Sequence, residues 1–269
     1  MRSALLRGRD HVELGALELV AEGPAAIALS RGGALKRYAH TDPNEDCAAF
    51  ALGRHGLLLA VADGHTGFEA SELVVEHLLA NPAPQWTDDP SAPDAKSWPR
   101  HALATLCDAN EEILAERSGR AAGASTTLCV ALVLREQGLL LHAAIGDSHL
   151  FLVQRDRALD LAGAVAPPSF LGDSPASPRE LAPRMSVGAE ALGEARAVVL
   201  VTDGLSERGI GVSDPAGTVI AAASQAEATN LELRPASLAR QVCERALAAQ
   251  RRNRAGDNIG VAAAWLANS

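Results

Sequence analysis

The amino-acid sequence predicts an α+β protein in which antiparallel sheets are layered with helices. Short apolar strand patterns are separated by tight turns, and helical patterns fall in two groups between them. Over 269 residues the apolar content is 48% and the charged content 21%, which suits a packed core rather than a disordered chain. The chain shows neither an internal repeat nor a low-complexity linker, so we expect one domain over residues 1–269.

Four strand patterns and one helix make up the N-terminal third. Uninterrupted or alternating apolar runs bounded by turn residues are typical of strands. They cover Leu17–Val20, Ala25–Leu29, Ala48–Leu52 and Leu57–Val61. The spacing of apolar residues then changes to the helical period, which predicts a helix over Thr66–Ala80.

A proline-rich segment separates this helix from a second one. Asn81–Pro99 contains five prolines and two tryptophans in nineteen residues, and prolines at this density predict an exposed loop. Arg100–Arg117 then carries leucine and isoleucine on one face, so a second amphipathic helix is expected there.

The second half of the chain returns to strands. A meander of hairpins accounts for the short spacings between them, with a turn expected at Arg135–Gly138. Pro167–Pro183 predicts a loop or flap, and Pro235–Arg252 predicts a helix with a basic end. The predicted strands cover Thr126–Leu134, Leu139–Ile145, Leu150–Val153, Ala197–Val201 and Ile259–Trp265.

The charge balance and the length of the apolar runs argue against several classes of protein. A net charge of −9 and 3% aromatic residues do not suit a nucleic-acid partner. The longest uncharged stretch, Ala121–Leu134, has 14 residues, below the roughly 18 of a membrane span, and the first residues lack an apolar leader. We therefore expect a cytoplasmic protein without a membrane partner. Four reduced thiols are expected in or near its core, at Cys47, Cys107, Cys129 and Cys243.

Carboxylates lie next to the ends of five of the predicted strands. Acidic residues at strand ends are ordinary turn chemistry. Asp63 and Asp203, however, follow fully apolar strands, where a carboxylate needs a partner or an ion. Oxygen-rich sites suit hard cations such as Mg²⁺ and Mn²⁺. The full set is Glu45, Asp46, Asp63, Asp147, Asp203 and Asp257.

Six short motifs, five of which contain these acids, follow an order along the chain that resembles that of the PP2C-type (PPM) metal-dependent serine/threonine protein phosphatases, bacterial members included. The motifs are Asn44–Asp46, Ala62–Gly67, Gly123–Thr127, Ile145–Ser148, Val201–Gly204 and Gly256–Ile259. The resemblance implies a central β-sandwich of two antiparallel sheets flanked by helices, a four-layer αββα arrangement. It also implies a centre of two Mg²⁺ or Mn²⁺ ions, with a third, weaker metal site in bacterial members.

The resemblance also implies a role for each acid. Asp63 would bridge both ions, with Asp203 and Asp257 completing the first site and Glu45 and the Gly64 carbonyl holding the second. Asp46 would anchor coordinated waters, and Asp147 would belong to the third site. His65 would be the general acid that protonates the leaving alkoxide, with a structural hydrogen-bonding role as the alternative. His40, His55, His142 and His149 are expected to be structural or to face solvent.

The chain departs from the family pattern next to the first motif. Thr41 occupies the position of a phosphate-binding arginine, which Lys36 or Arg37 could replace, and the segment between Asp147 and Asp203 is short. The expected function is hydrolysis of phosphoserine and phosphothreonine monoesters by a metal-activated water. A non-catalytic, PP2C-like regulatory binding module is the alternative. The expected partner is a phosphorylated protein, the substrate of a serine/threonine kinase, and a monomer is expected.

Overall fold

Two six-stranded antiparallel sheets form the centre of the molecule, in a computed structural model that describes residues 1–89, 92–116, 123–163 and 169–266. The strands in chain order are β1 (Arg2–Arg7), β2 (Glu18–Glu22), β3 (Ala25–Ser30), β4 (Cys47–Leu52), β5 (Leu57–Ala62), β6 (Gly64–His65), β7 (Ser125–Thr126), β8 (Leu128–Leu134), β9 (Leu139–Ile145), β10 (His149–Val153), β11 (Ala158–Asp160), β12 (Met185–Ala191), β13 (Ala197–Val201) and β14 (Ile259–Trp265).

The first sheet has the strand order β1-β4-β5-β8-β9-β12, and the second has the order β11-β10-β13-β14-β3-β2. Each neighbouring pair is antiparallel, and β6 and β7 form a separate two-stranded ladder. The predicted sandwich of two antiparallel sheets is confirmed. Consecutive hairpins account for β4-β5 and β8-β9, as the short spacings in the sequence indicate.

Helices cover the outer face of each sheet. They are α1 (Glu69–Ala80), α2 (Pro82–Asp88), α3 (Trp98–Ala115), α4 (Pro178–Leu181), α5 (Pro215–Glu227) and α6 (Arg234–Asn253). The first three pack with the first sheet around one core, whereas α5 and α6 pack on the second sheet around another. A third core fills the space between the sheets, so the layers run helix, sheet, sheet, helix.

Burial of both faces explains why the strands read as continuous apolar runs. In β4, Ala48 and Phe50 point into the core between the sheets, whereas Ala49 and Ala51 point towards the helices. Alternation between apolar and polar residues is expected only where one face of a sheet meets water. All seven residues of β8 and of β14 are buried.

The expectation of an exposed loop over Asn81–Pro99 is wrong at both ends of the segment, whereas the described residues between them, 89 and 92–97, lie outside helices and strands. The segment forms α2 and the start of α3, and Trp86 and Trp98 are 4% and 1% exposed, with their rings edge to face at 5.0 Å. Proline fits the first turn of a helix, where its missing N–H has no partner to lose. Pro82 and Pro99 therefore mark two helix starts. Positions 90 and 91 lie outside the described residues.

Smaller differences concern elements whose patterns are weak. The strands β1, β6, β11 and β12 and the helix α5 carry no prediction, and α4 lies within the expected flap Pro167–Pro183. Residues 164–168, and with them the start of that flap, are outside the described part, as is the end of the helix expected to reach Arg117. The four cysteines are free and buried, as expected. Among the described residues there is no helix of the length and apolar character needed to cross a membrane.

Candidate metal centre

Carboxylates from both sheets converge at one end of the sandwich. Asp63 follows β5, Asp147 follows β9 and Asp203 follows β13. The antiparallel registers bring the ends of β5 and β9 to one edge of the first sheet, where Asp203 from the second sheet meets them. One carboxylate oxygen from each of the three aspartates lies within 4.8 Å of the others. Such a cluster of negative charge requires protons or cations.

Asp46 ties the two sheets together beneath this cluster. It precedes β4, where Cys47 pairs with Ala62 at the end of β5, so its side chain lies next to that of Asp63. Its Oδ2 accepts a hydrogen bond of 2.8 Å from the Thr202 hydroxyl, whose oxygen in turn accepts one from the amide of Gly260. The other carboxylate oxygen of Asp46 is buried and has no hydrogen-bond partner among the described residues.

The turn after Asp63 is held by side chains of the β7–β8 segment. The Asp63 amide donates to Thr127 Oγ1 at 3.0 Å, and the Thr127 amide donates to the Asp63 carbonyl at 2.9 Å. Gly64 then passes so close to Glu45 that a Cβ atom would lie 2.4 Å from the Glu45 carbonyl oxygen. Only glycine allows this approach without a shift of the backbone.

Glu45 is 2% exposed, and its carboxylate is bound on several sides. Its Oε1 accepts a hydrogen bond from the Gly67 amide at 2.7 Å and longer ones, of 3.3 Å, from the amides of Thr41 and Asp42. Its Oε2 lies 3.2 Å from the ammonium nitrogen of Lys36. The residue at the arginine position of the family, Thr41, thus reaches Glu45 through its backbone.

Asp257 completes the acidic set from the loop before β14. Its Oδ1 accepts hydrogen bonds from the Tyr38 hydroxyl and, at 2.8 Å, from the Asn258 amide. It also lies 3.8 Å from Lys36 Nζ. The Asn258 side chain accepts a hydrogen bond of 2.9 Å from the Glu45 amide, so the two loops that carry Glu45 and Asp257 are joined directly.

Burial and mutual repulsion disfavour ionisation of these acids. Burial, together with the charges of Asp46, Asp203 and Asp257, raises the pKa of Asp63 well above its usual value. Burial, and then the charges of Asp257 and Asp147, does the same to the pKa of Asp203. The pKa of Asp46 rises to about 7, because of burial first and the Asp257 charge second. Such shifts concentrate at functional sites.

His65 lies beside the carboxylates, and one of its ring nitrogens has no hydrogen-bond partner among the described residues. Its Nε2 is buried and makes no hydrogen bond within the described part of the chain, and its ring meets Phe170 edge to face at 4.4 Å. Burial lowers its pKa, against the opposing effect of the Asp147 and Glu45 charges. A ring held by packing with an unused nitrogen suits proton transfer.

His149 forms a hydrogen-bonded bridge at the edge of the site. Its Nδ1 lies 2.6 Å from Asp160 Oδ2, and its Nε2 lies 2.6 Å from Ser206 Oγ. Ser206 follows Asp203 by three residues, and the Ser206 amide donates to the Asp203 carbonyl at 2.7 Å. This link between β10 and the turn that carries Asp203 is a structural role, one of the two alternatives expected for His149.

The donor set fits a hard divalent cation. Its side-chain donors are carboxylate oxygens, the type of ligand that Mg²⁺ and Mn²⁺ prefer. Besides the free oxygen of Asp46, Asp147 Oδ1 is buried and lacks a hydrogen-bond partner among the described residues. Buried polar atoms without partners are costly, and cations would satisfy them.

The predicted site residues therefore meet in one region, in two groups. Asp63, Asp147 and Asp203 form the cluster, with Asp46 beside it, whereas Glu45 and Asp257 are connected through Lys36. Arg37, the other suggested cation, is exposed. The sequence did not predict the hydrogen bonds that Tyr38, Thr202 and His149 make around the acids. Thr202 lies inside a quoted motif, but Tyr38 carries no signal in the sequence.

A comparison with known protein families agrees with the resemblance that the sequence motifs indicate. The family model described as protein phosphatase 2C matches residues 35–255, more than half of the chain, and the chain belongs to this family. It is accordingly a PP2C-type serine/threonine phosphatase of a metal-dependent family. The match includes Glu45, Asp63, Asp147 and Asp203 and ends two residues before Asp257. A search of curated proteins gave no significant match.

Solved structures share the fold at low sequence identity. A bacterial serine phosphatase matches with a TM-score of 0.68 and 15% identity, over 92% of this chain and 99% of its own. Serine/threonine phosphatase Stp1 from Staphylococcus aureus matches with a TM-score of 0.65 and 15% identity, over 98% and 100%. The catalytic domain of the serine/threonine phosphatase PstP, solved with two manganese ions, matches with a TM-score of 0.61 and 24% identity, over 93% and 99%.

Proposed function

We propose that this site holds two Mg²⁺ or Mn²⁺ ions and hydrolyses phosphoserine and phosphothreonine monoesters of proteins. The observation that carries the proposal is the convergence of Asp63, Asp147 and Asp203 within 4.8 Å of one another. Buried oxygens on Asp46 and Asp147 that have no hydrogen-bond partner in the described part of the chain support it, as does the similar phosphatase PstP, which was solved with two manganese ions.

We assign the ligands from the family pattern and the positions of the side chains. Asp63 would contact both ions, since its carboxylate lies in the cluster with Asp147 and Asp203 and next to Asp46. Asp203 and Asp257 would hold one ion, and Glu45 with the Gly64 carbonyl the other. Asp46 would order coordinated water, and Asp147 would serve a third ion. Bound divalent cations supply a water of lowered pKa and neutralise charge that develops on the phosphoryl group.

The residues of the chain supply the remaining chemistry. His65 Nε2 would give a proton to the serine or threonine oxygen as it leaves, which would convert a poor leaving group into an alcohol. The packing of Phe170 against the imidazole restricts the ring to one orientation. Thr127 and Thr202 hold the backbone of Asp63 and the carboxylate of Asp46, so that the acids keep their positions.

We infer a single domain over residues 1–269 that acts as a monomer on a phosphorylated protein, the product of a serine/threonine kinase. The three cores support one domain, since the core between the sheets is continuous with strands that also line the two outer cores.

The test is hydrolysis of a phosphothreonine peptide and of p-nitrophenyl phosphate by the purified protein, with Mn²⁺, with Mg²⁺ and with EDTA. We expect turnover with metal that disappears in EDTA and in Asp63→Asn. Asp156→Asn, a change of the same charge at an exposed position, is the matched control and should retain activity. Binding of Mn²⁺ without turnover on either substrate would contradict the proposal and favour a regulatory binding module.

A further inference from the structure

The ammonium group of Lys36 lies inside the acidic centre. The Lys36 side chain is 6% exposed, and its Nζ is 3.2 Å from Glu45 Oε2 and 3.8 Å from Asp257 Oδ1. Lysine is rarely buried unless it is paired. Here the two carboxylates that pair with it come from loops more than 200 residues apart in the chain, so the ammonium group bridges two parts of the site.

The surroundings of Lys36 stabilise its positive charge further. The ring of Tyr38 lies 5.3 Å from the ammonium nitrogen, within the range of a cation–π interaction. The Tyr38 hydroxyl also donates to the same oxygen of Asp257. In the part of the chain that the structure describes, no other lysine or arginine forms an ion pair with the acids of the centre.

We infer that Lys36 is an internal competitor for the two cations that Glu45 and Asp257 would each help to bind. The inference rests on the proposed function, in which these two carboxylates are metal ligands. A divalent cation and the ammonium group require the same carboxylate oxygens, so metal binding must displace Lys36. Lys36 therefore lowers the metal affinity of the centre and stabilises the metal-free fold.

Displacement requires little rearrangement elsewhere. Lys36 lies between β3 and β4, in a segment without helix or strand, and its neighbours Leu35 and Tyr38 are 62% and 44% exposed. The lysine side chain is a flexible four-carbon stem that carries a point charge. It can leave the centre by rotation of its own side chain while the strands that carry the acids stay in place.

The test is calorimetric titration of Mn²⁺ into the metal-free full-length protein, compared with Lys36→Met and with Arg37→Met as matched control. Both variants lose one positive charge next to the site, but Arg37 is exposed. We expect Lys36→Met to bind Mn²⁺ at least about tenfold more tightly, equivalent to about 1.4 kcal/mol, and to unfold at a lower temperature in EDTA. Arg37→Met should match the wild type in both measurements.

Equal or weaker Mn²⁺ binding by Lys36→Met would overturn the inference, because a competitor cannot be removed without a gain in affinity. Lys36→Gln, which keeps a polar head group, gives the same reading if Lys36→Met fails to fold. If the wild type turns over substrate and both variants have unchanged Mn²⁺ affinity, the inference about Lys36 is refuted but the proposed catalysis is not. Tighter Mn²⁺ binding without turnover would support it and count against the proposed catalysis, and no Mn²⁺ binding by any variant would refute both.

Discussion

Replacement of Asp46 by Asn is expected to stabilise the metal-free protein at neutral and alkaline pH. Asp46 is 1% exposed, and its pKa rises to about 7 because of burial and the nearby charge of Asp257. An asparagine in its place can still accept the hydrogen bond from Thr202, which is 2.8 Å long. The substitution therefore removes a buried charge and keeps the shape and the contact.

The size of the effect follows from proton linkage. A carboxyl group whose pKa is higher in the folded than in the unfolded state lowers the free energy of unfolding as it ionises. For Asp46 that loss begins near pH 4 and is complete somewhat above pH 7. A rise from 3.8 to about 7 is about three pKa units of about 1.36 kcal/mol each, so ionisation costs at most about 4 kcal/mol. Neighbouring acids can take up the proton in place of Asp46, because their titrations are coupled. We therefore expect ionisation of Asp46 to lower the free energy of unfolding by about 2 to 4 kcal/mol.

The assay is urea unfolding in EDTA between pH 4 and pH 8.5. We expect Asp46→Asn and the wild type to differ little at pH 4 and the variant to be more stable by about 2 to 4 kcal/mol at pH 8.5. The exposed control Asp156→Asn should follow the wild type throughout. With saturating Mn²⁺ the order should reverse, since only the wild type keeps its full set of acids. Parallel pH profiles for wild type and Asp46→Asn in EDTA would refute the reasoning.

Three further substitutions test individual parts of the site. His65→Ala should slow hydrolysis of a phosphothreonine peptide by about 10² to 10⁴ and that of p-nitrophenyl phosphate much less, because a good leaving group needs no acid; equal losses would exclude the acid role. Gly64→Ala should weaken Mn²⁺ binding and destabilise the fold by about 1 to 3 kcal/mol, because its Cβ would lie 2.4 Å from the Glu45 carbonyl oxygen; unchanged calorimetry and melting would contradict this. His149→Ala should weaken Mn²⁺ binding several-fold, because Ser206 beside Asp203 loses its 2.6 Å contact with the imidazole. His149→Asn should restore part of that affinity, and a wild-type titration curve for His149→Ala would show that the bridge does not support the site.

The parts of the fold that could be predicted are those with a strong apolar signal. Leu139–Ile145, Ala197–Val201 and Ile259–Trp265 have the predicted bounds, because they are buried on at least one whole face and turn residues border them. The edge strand β12 escaped prediction because its apolar signal is weak: Met185 is its one buried residue, and glycine and alanine make up much of the rest. The helix α5 escaped because alanine dominates its buried face.

The site could be predicted as far as its acids follow apolar strands. Asp63 and Asp203 stand out because a carboxylate after such a strand demands a partner. Tyr38 and Lys36 lie in a loop without periodicity, and their contacts with Asp257 span about 220 residues of the chain. Contacts of that kind depend on how the two sheets pack together, and local sequence patterns carry no information about them.

The most direct test of the metal centre is anomalous diffraction from crystals of the protein grown with Mn²⁺. The account predicts two strong manganese peaks that share Asp63 as a ligand, one also bound by Asp203 and Asp257 and the other by Glu45. Lys36 should then point away from Glu45. Manganese that does not contact Asp63, or the absence of manganese peaks at this end of the sandwich at saturating Mn²⁺, would contradict the account.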